Sequence, residues 1–161
     1  MDTLTIFLAK YLIIGVALVG LITWLKLSRG GRKELAVAVI IAGIAAIVLS
    51  KVLGALYFHP RPFVTDHIKP LITHAPDNGF PSDHTTLVMA VTTVIYYYRK
   101  RFAAVALVLS LGVGIGRVLA HVHSPIDILG GLAAGVVAGA LGFYSAQKLI
   151  PTLLRSYKSK D

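Results

Sequence analysis

Arginine, histidine and aspartate recur at short spacing between residues 117 and 127. Arg117 lies six residues before His123, and Asp127 follows His123 by four residues. The pair Ser124-Pro125 predicts a helix that begins at Pro125, with Asp127 in its first turn. From there the carboxylate can reach one ring nitrogen of His123 and leave the other free to act as a nucleophile or base. A role for Asp127 at the helix dipole is the alternative, but it does not explain Arg117.

A second polar group, residues 81–84, opens another apolar stretch. Ser82 is placed to cap a helix start, and Asp83 follows it directly. The free N–H groups and partial positive charge of a helix start favour a phosphate group. His84 falls in the first turn, where a protonated imidazole would donate to a leaving oxygen. A plain helix cap is the alternative interpretation of the Ser-Asp pair.

Two further cations precede these groups along the chain. Lys51 lies near the end of an apolar segment, where a lysine often only extends its amine to water. Arg61 stands between Pro60 and Pro62, which predict a stiff, extended stretch that fixes the guanidinium. Arg61 and Arg117 each offer a planar fork to phosphate oxygens, and Lys51 adds a point charge. These cations, with two helix starts and two histidines, predict a site for a phosphoryl group.

The composition places this polar set in a membrane protein. Of the 161 residues, 56% are hydrophobic and 14% are charged, whereas soluble domains carry about 25% charged residues. The net charge of +9 does not predict nucleic-acid binding, because the basic residues bracket apolar segments and do not form one face. The chain has no cysteine, so thiolate and disulfide chemistry are excluded.

Five apolar segments predict an all-α integral membrane protein with a single domain over residues 1–161. The segments cover residues 4–27, 35–58, 84–98, 102–120 and 126–150. A spanning helix needs roughly 20 residues, so the third segment is short. The first segment lacks a basic leader and an evident cleavage site, and we expect it to be retained. Glycines spaced by four residues predict close helix packing in the last two segments: Gly112, Gly116, Gly131, Gly135 and Gly139.

The distribution of basic residues predicts the orientation in the membrane. Eleven of the sixteen fall on one side, which the positive-inside rule makes cytoplasmic. They are Lys26, Arg29, Arg32, Lys33, Arg99, Lys100, Arg101, Lys148, Arg155, Lys158 and Lys160. Five of the seven acidic residues and all six histidines fall on the other side. We therefore expect the N-terminus outside, the C-terminus in the cytoplasm and the polar site at the outer face.

Together, the polar groups resemble the signature of the type-2 phosphatidic acid phosphatase family, also called the lipid phosphatase and haloperoxidase superfamily. That signature has a lysine ahead of Arg-Pro, then Pro-Ser-Gly-His, then Ser-Arg, five residues, His, three residues and Asp. The matching residues, within 51–127, are Lys51, Arg61-Pro62, Pro81-Ser82-Asp83-His84, Arg117, His123 and Asp127. Residues 61–63 and 80–85 are most similar to the bacterial undecaprenyl-diphosphate phosphatase branch.

Three positions depart from the family pattern. Asp83 replaces a glycine, and Gly116 stands where the family often has serine. The interval between Lys51 and Arg61 is longer than the family's six residues. A carboxylate at Asp83 is expected to point away from the phosphate or to restrain His84.

The resemblance implies a bundle of membrane helices and a reaction that needs no metal or other cofactor. By it, His123 attacks phosphorus to form a phosphohistidine, Asp127 orients His123, and His84 protonates the leaving group. The phosphate site that it implies comprises Lys51, Arg61, Ser82, Asp83 and Arg117. The branch implies hydrolysis of the terminal phosphate of undecaprenyl diphosphate at the outer face of a bacterial cytoplasmic membrane, which recycles the cell-wall carrier lipid.

Other functions stay open. The substrate could be a glycerolipid such as phosphatidylglycerol phosphate or phosphatidate, and the chain could be an anion-binding transporter subunit without enzymatic activity. A zinc site at His84, His121 and His123 is disfavoured, because Arg61 and Arg117 would repel the ion. The expected partners are a lipid phosphate and membrane lipids, with no nucleic acid and no predicted oligomeric state. The remaining histidines are expected to be surface or loop residues: His59, His67, His74 and His121.

Overall fold

A computed structural model describes the backbone of residues 2–158 and the side chains of residues 2–150, and the elements in this part of the chain are helices. An isolated bridge between Pro60 and Asn78 is the one strand-like pairing within it. The helices are α1 (Asp2–Lys10), α2 (Leu12–Leu25), α3 (Arg29–Leu56), α4 (Pro62–Thr65), α5 (Asp83–Tyr98), α6 (Lys100–Leu119) and α7 (Pro125–Lys158). The prediction of an all-α protein is confirmed. Lys160 and the side chains of Arg155 and Lys158, which contributed to the predicted orientation, lie outside the described residues.

Three of these helices are long and apolar enough to cross a membrane: α3, α6 and the Pro125–Ile150 part of α7. The pair α1 and α2 adds a fourth span if it is counted as one helix bent by 41°. The predicted segment over residues 4–27 is thus divided into two helices at Tyr11, and its crossing of the membrane stays a prediction. At Tyr11 the spacing of the backbone hydrogen bonds changes. The amide of Tyr11 donates to the carbonyl of Phe7, four residues earlier, but its carbonyl accepts from the amide of Ile14, only three residues later. With 16 residues, α5 is below the roughly 17 that spanning requires, so five spans stay a prediction.

Helix α7 packs along α3 and α5, while α6 packs against α5 and the α1–α2 pair. The close approach requires glycine. A Cβ atom on Gly135 would lie 2.6 Å from the carbonyl oxygen of Thr86, and one on Gly139 would lie 2.6 Å from that of Ala90. Small residues at this spacing let helix backbones approach in lipid, so the predicted packing role of the glycines is confirmed.

Gly116 has a packing reason of its own. A Cβ atom at this position would lie 2.6 Å from the backbone nitrogen of Ala9 in α1. Because that contact is to backbone, it cannot be relieved by a side-chain movement. A serine, which the family often has here, would therefore displace α1, and the departure from the family pattern follows from how α1 packs on α6.

Small side chains fill the interior and large ones cover the outside. Ala38 and Ala42 of α3 and Ala90 of α5 are fully buried, whereas Ile44 and Ile47 of α3 are more than half exposed. In lipid, apolar surface gains nothing by being buried, so helices associate through close packing and interhelical hydrogen bonds. One such bond joins the hydroxyls of Thr92 in α5 and Ser110 in α6, at 2.9 Å.

The polar connections meet at one end of the bundle. The connection over residues 57–82 follows α3, and the connection over residues 120–124 joins α6 to α7. The amide of Ser82 donates to the carbonyl oxygen of Asp127 at 3.0 Å, which joins the starts of α5 and α7. The side-chain amide of Asn78 donates to the carbonyl oxygens of Gly54 at 2.7 Å and Tyr57 at 3.0 Å, which ties the first connection to the end of α3.

Candidate active site

His123 reaches this end of the bundle through a tight turn after α6. His121 adopts a left-handed backbone with φ of 61°, which is uncommon for a residue with a side chain. The amides of Val122 and His123 then both lie 3.3 Å from the carbonyl oxygen of Arg117 and donate to it. The chain therefore folds back over the last turn of α6, and His123 is held against the start of α7.

The ring of His123 is buried, and its two nitrogens have different surroundings. Nδ1 lies 2.9 Å from the carbonyl oxygen of Gly79 and 3.5 Å from Oδ2 of Asp127. A carbonyl oxygen can only accept, so Nδ1 carries the hydrogen and Nε2 keeps its lone pair. The sequence predicted Asp127 as the orienting partner. The structure adds the Gly79 carbonyl, which is the closer of the two.

Asp127 is fully buried, and its carboxylate is shared among several donors. Oδ2 accepts from the amide of Ser124 at 2.8 Å, and Oδ1 lies 2.9 Å from Nδ1 of His59. A buried charge is tolerated when hydrogen bonds replace its lost hydration. His59 lies in the loop after α3, as expected, but its ring also belongs to this network, which was not predicted. Local spacing gave no sign of the contact, because His59 and Asp127 are 68 positions apart.

His74 lies in a loop, as expected, but its ring also lies beside that of His123. Its half-buried ring meets the ring of His123 edge-on, with centroids 5.8 Å apart and an angle of 78°. Burial, followed by the positive charges of Arg61 and Arg117, holds the pKa of His74 below its usual value. His67 and His121 are exposed, as expected.

The guanidinium of Arg61 is hydrogen-bonded mainly to other residues of the protein. Its Nε donates to Asp77 at 2.8 Å, Nη1 donates to the carbonyl of Val122 at 2.9 Å, and Nη2 donates to that of Asn78 at 3.1 Å. Nη1 also lies 3.2 Å from Nε2 of His123. Of the five donor hydrogens of a guanidinium, most are thus directed at the protein. Arg61 also lines the cavity described below, and its role in binding phosphate stays a prediction.

The hydrogen bond from Arg61 to Asp77 also affects the pKa of Asp77. Burial alone would raise the pKa of Asp77, but the hydrogen bond and positive charge of Arg61 outweigh it and hold the pKa below its usual value. Asp77 therefore carries its charge at neutral pH and keeps the arginine in place.

Arg117 has the opposite character. It is 3% exposed, and its Nε and Nη2 atoms have no hydrogen-bond partner among the described residues. Buried donors without acceptors are costly and rare, so they call for a ligand that supplies oxygens. Arg117 therefore keeps two donor atoms that no described residue uses, and its binding of an anion stays a prediction.

The start of α5 places residues 81–84, the second polar group of the sequence analysis, at the same end of the bundle as His123. Ser82 stands at the N-cap position, as predicted, but its fully buried hydroxyl accepts from Thr85 Oγ1 at 3.2 Å and caps no helix amide. His84 lies in the first turn, half-buried, within range of the charges of Arg117 and Asp83. Asp83 itself is exposed.

A cavity of about 230 Å³ opens beside these residues. Its polar lining includes Lys51, Arg61, His74, Asp77 and Asp83. Lys51 and Arg61 line one cavity although their interval in sequence exceeds the family's. Among the described residues, no group of three or more histidine, aspartate or glutamate side chains is arranged to hold a metal ion.

A second groove, of about 210 Å³, continues from this cavity between α3 and α5. The two share Ser50, Lys51 and Asp83, and the remaining lining of the groove is apolar: Gly43, Ala46, Ile47 and Leu87. A polar chamber that leads into an apolar groove fits a ligand with a charged head and a hydrocarbon chain.

The chain is similar to known proteins over most of its length. Residues 34–151 match the family described as the PAP2 superfamily. The chain is 34% identical over 151 residues to "Undecaprenyl-diphosphatase BcrC" of Bacillus subtilis (strain 168), which covers 94% of this chain and 78% of that protein. It is 37% identical over 144 residues to "Bacitracin transport permease protein BcrC" of Bacillus licheniformis, with coverage of 89% and 70%. The fold is shared with the crystal structure of a PAP2 type phosphatidylglycerolphosphate phosphatase from Bacillus subtilis, at a TM-score of 0.65, 24% identity and coverage of 91% and 75%.

Proposed function

Because the chain belongs to the PAP2 superfamily, we propose that it is an integral membrane phosphatase that hydrolyses the terminal phosphate of undecaprenyl diphosphate. The observation that carries this proposal is the buried ring of His123, whose Nδ1 is held by Gly79 while Nε2 keeps its lone pair. The unpartnered fork of Arg117 supplies a place for the phosphate. The relative named as an undecaprenyl-diphosphatase, at 34% identity over most of the chain, supports the substrate.

In the first step, Nε2 of His123 attacks the terminal phosphorus. The P–N bond forms while the bond to the bridging oxygen breaks, and undecaprenyl phosphate leaves. The hydrogen on Nδ1 stays between Gly79 and Asp127, and the buried carboxylate stabilises the positive charge that develops on the ring. Arg117 donates from Nε and Nη2 to the oxygens of the phosphoryl group in transfer.

In the second step, water removes the phosphoryl group from the ring. His84 gives a proton to the leaving oxygen in the first step, takes one from the attacking water in the second, and so returns to its starting state. The products are undecaprenyl phosphate, inorganic phosphate and free His123. Lys51 and the two arginines supply positive charge, so we expect activity to persist in EDTA, and loss of activity there would contradict a reaction without metal.

The shape of the two cavities supports a lipid substrate. The diphosphate occupies the polar chamber beside Lys51, and the first prenyl units lie in the groove between α3 and α5. In a membrane this groove is open to the side, so the lipid need not leave the bilayer. The proposal includes five spans, an N-terminus outside and an active site at the outer face of a bacterial cytoplasmic membrane.

The test is phosphate release from pure lipids by the purified protein in detergent. Wild type should release phosphate from undecaprenyl diphosphate, and His123→Ala should reduce kcat by at least about 1,000-fold. Phosphatidylglycerol phosphate serves as the comparison. Faster turnover of the glycerolipid would replace the proposed substrate, and no release from either lipid would favour an anion-binding protein.

A further inference from the structure

His59 contacts both groups that hold Nδ1 of His123. Its carbonyl oxygen accepts from the amide of Gly79 at 2.8 Å, and its amide donates to Oδ1 of Asn78 at 2.9 Å. Its ring nitrogen Nδ1 lies 2.9 Å from Oδ1 of Asp127. Gly79 and Asp127 are the two acceptors beside Nδ1 of His123. His59 thus holds both acceptors in place: its backbone bonds to Gly79, and its ring bonds to Asp127.

The carboxylate of Asp127 needs this second contact. Ser124 and His123 approach it through Oδ2, while the contacts of Oδ1 come from His59. Because the group is fully buried, an Oδ1 atom without a donor is unfavourable, and the carboxylate would rotate to find another donor. Rotation would move Oδ2 away from Nδ1 of His123 and loosen the ring.

We propose that His59 is a positioning residue for the nucleophile. It fixes the carboxylate of Asp127, and through it the orientation of His123, without contacting the phosphoryl group. The inference rests on the proposed function, because attack by Nε2 is the step that the orientation serves. A displacement of about 1 Å in such a group can cost roughly 100-fold in rate, so the contact is large enough to matter.

Packing offers a competing role for the same ring. The imidazole of His59 stacks on the ring of Tyr57, with centroids 5.9 Å apart and an angle of 12°, and Tyr57 in turn meets Phe80 edge-on at 5.0 Å. Two substitutions separate the roles. His59→Phe keeps a ring for the stack but has no donor for Asp127, whereas His59→Asn keeps an N–H donor near the position of Nδ1 and loses the ring.

The experiment compares kcat and KM for undecaprenyl diphosphate among full-length variants. We expect His59→Ala and His59→Phe to lower kcat about 10–100-fold, the range known for outer partners of metal-bound histidines, with KM changed by less than about twofold. His59→Asn should recover most of the loss. His67→Asn is the matched control, because His67 is an exposed histidine with left-handed backbone that asparagine tolerates.

Several results would overturn the inference. They are an unchanged kcat in His59→Ala, recovery by phenylalanine but not by asparagine, or a loss confined to KM. Wild type and His123→Ala are measured alongside, so an inactive wild type would count against the proposed function and not against the role of His59.

A second measurement does not depend on turnover. The nitrogen chemical shifts of the His123 ring report which atom carries the hydrogen. The Gly79 carbonyl keeps the hydrogen on Nδ1 in every variant, so the expected change is in the order of the ring. We expect sharp ring-nitrogen signals in wild type and His59→Asn, and broadened signals in His59→Ala and His59→Phe. Equally sharp ring signals in every variant would contradict the positioning role.

Discussion

The carbonyl oxygen of Gly79 accepts a hydrogen bond from Nδ1 of His123 at 2.9 Å. This bond fixes the tautomer that leaves Nε2 as a nucleophile, and it comes from a loop backbone 44 positions away. The orientation of the nucleophile therefore depends on how the connection between α3 and α5 folds, as well as on the carboxylate of Asp127.

Substitution of Gly79 should test this dependence. A Cβ atom on Gly79 would lie 2.9 Å from Oδ2 of Asp127 and 3.1 Å from the carbonyl oxygen of His59. We expect Gly79→Ala to push the carboxylate aside and to lower kcat by about 100-fold. Gly30→Ala is the control, since nothing lies within 4 Å of a Cβ there. Steady-state kinetics of the two variants check the prediction, and equal activity would contradict it.

Substitutions of Arg61 and Arg117 should have different effects on stability and activity. Arg61 donates to several protein acceptors, two of them backbone carbonyls, so Arg61→Ala should lower the free energy of unfolding by about 1–3 kcal/mol. Arg117 keeps buried donors unsatisfied, so Arg117→Met should abolish phosphate release while stability is kept or rises by about 1–3 kcal/mol. Thermal unfolding in detergent measures both. A larger loss of stability for Arg117→Met than for Arg61→Ala would make Arg117 the bracing residue and contradict the prediction.

The pH dependence follows from the surroundings of His123. Burial, with help from the positive charges of Arg61 and Arg117, outweighs the hydrogen bond to Asp127 and holds the pKa of His123 below its usual 6.5. Only the neutral ring can attack, so kcat/KM should fall as pH drops through a midpoint below 6.5. Removal of a cation in Arg61→Gln should move that midpoint upward. A midpoint above 6.5 in the wild type would contradict the prediction.

The turn at His121 should respond to its backbone geometry. With φ of 61°, His121 occupies a conformation that glycine adopts without strain and that β-branched residues resist. We expect His121→Gly to be neutral or to stabilise the protein by up to about 1 kcal/mol, and His121→Val to destabilise it by more than that. Because the turn carries His123, the valine variant should also lose activity. Unfolding curves that show no difference between the two variants would contradict this.

The orientation can be tested with introduced cysteines, since the chain has none. A single cysteine at the exposed Thr73, in the connection before α5, should react with a membrane-impermeant maleimide added outside intact cells. A cysteine at the exposed Arg101, at the opposite end of the bundle, should react only after the membrane is opened. The reverse pattern would place the active site on the cytoplasmic side.

Local sequence patterns predicted the parts of the site that depend on local geometry. Because α7 begins at Pro125, Asp127 lies in its first turn, close to His123 four positions earlier. Because α5 begins at Asp83, His84 lies in the first turn of that helix. Both placements follow from local spacing in the sequence. The contacts of His59 and Gly79 join positions 68 and 44 apart. No local pattern encodes such contacts, because they depend on how the connection over residues 57–82 folds over the ends of α6 and α7.

Two other differences between prediction and structure also have no local signal in the sequence. The partners of Arg61 include the side chain of Asp77 and the carbonyl of Val122, which nothing near Arg61 in sequence indicates. The interruption at Tyr11 contains neither proline nor glycine, so the apolar pattern predicted one continuous helix.

The most direct measurement is a search for the phosphorylated enzyme. Protein is mixed with undecaprenyl diphosphate that carries 32P in its terminal phosphate, and the reaction is quenched with base within one turnover. We predict an alkali-stable, acid-labile label on Nε2 of His123, absent from His123→Ala. Complete release of labelled phosphate by the wild type, with no label on His123 at any time, would contradict nucleophilic attack by this histidine.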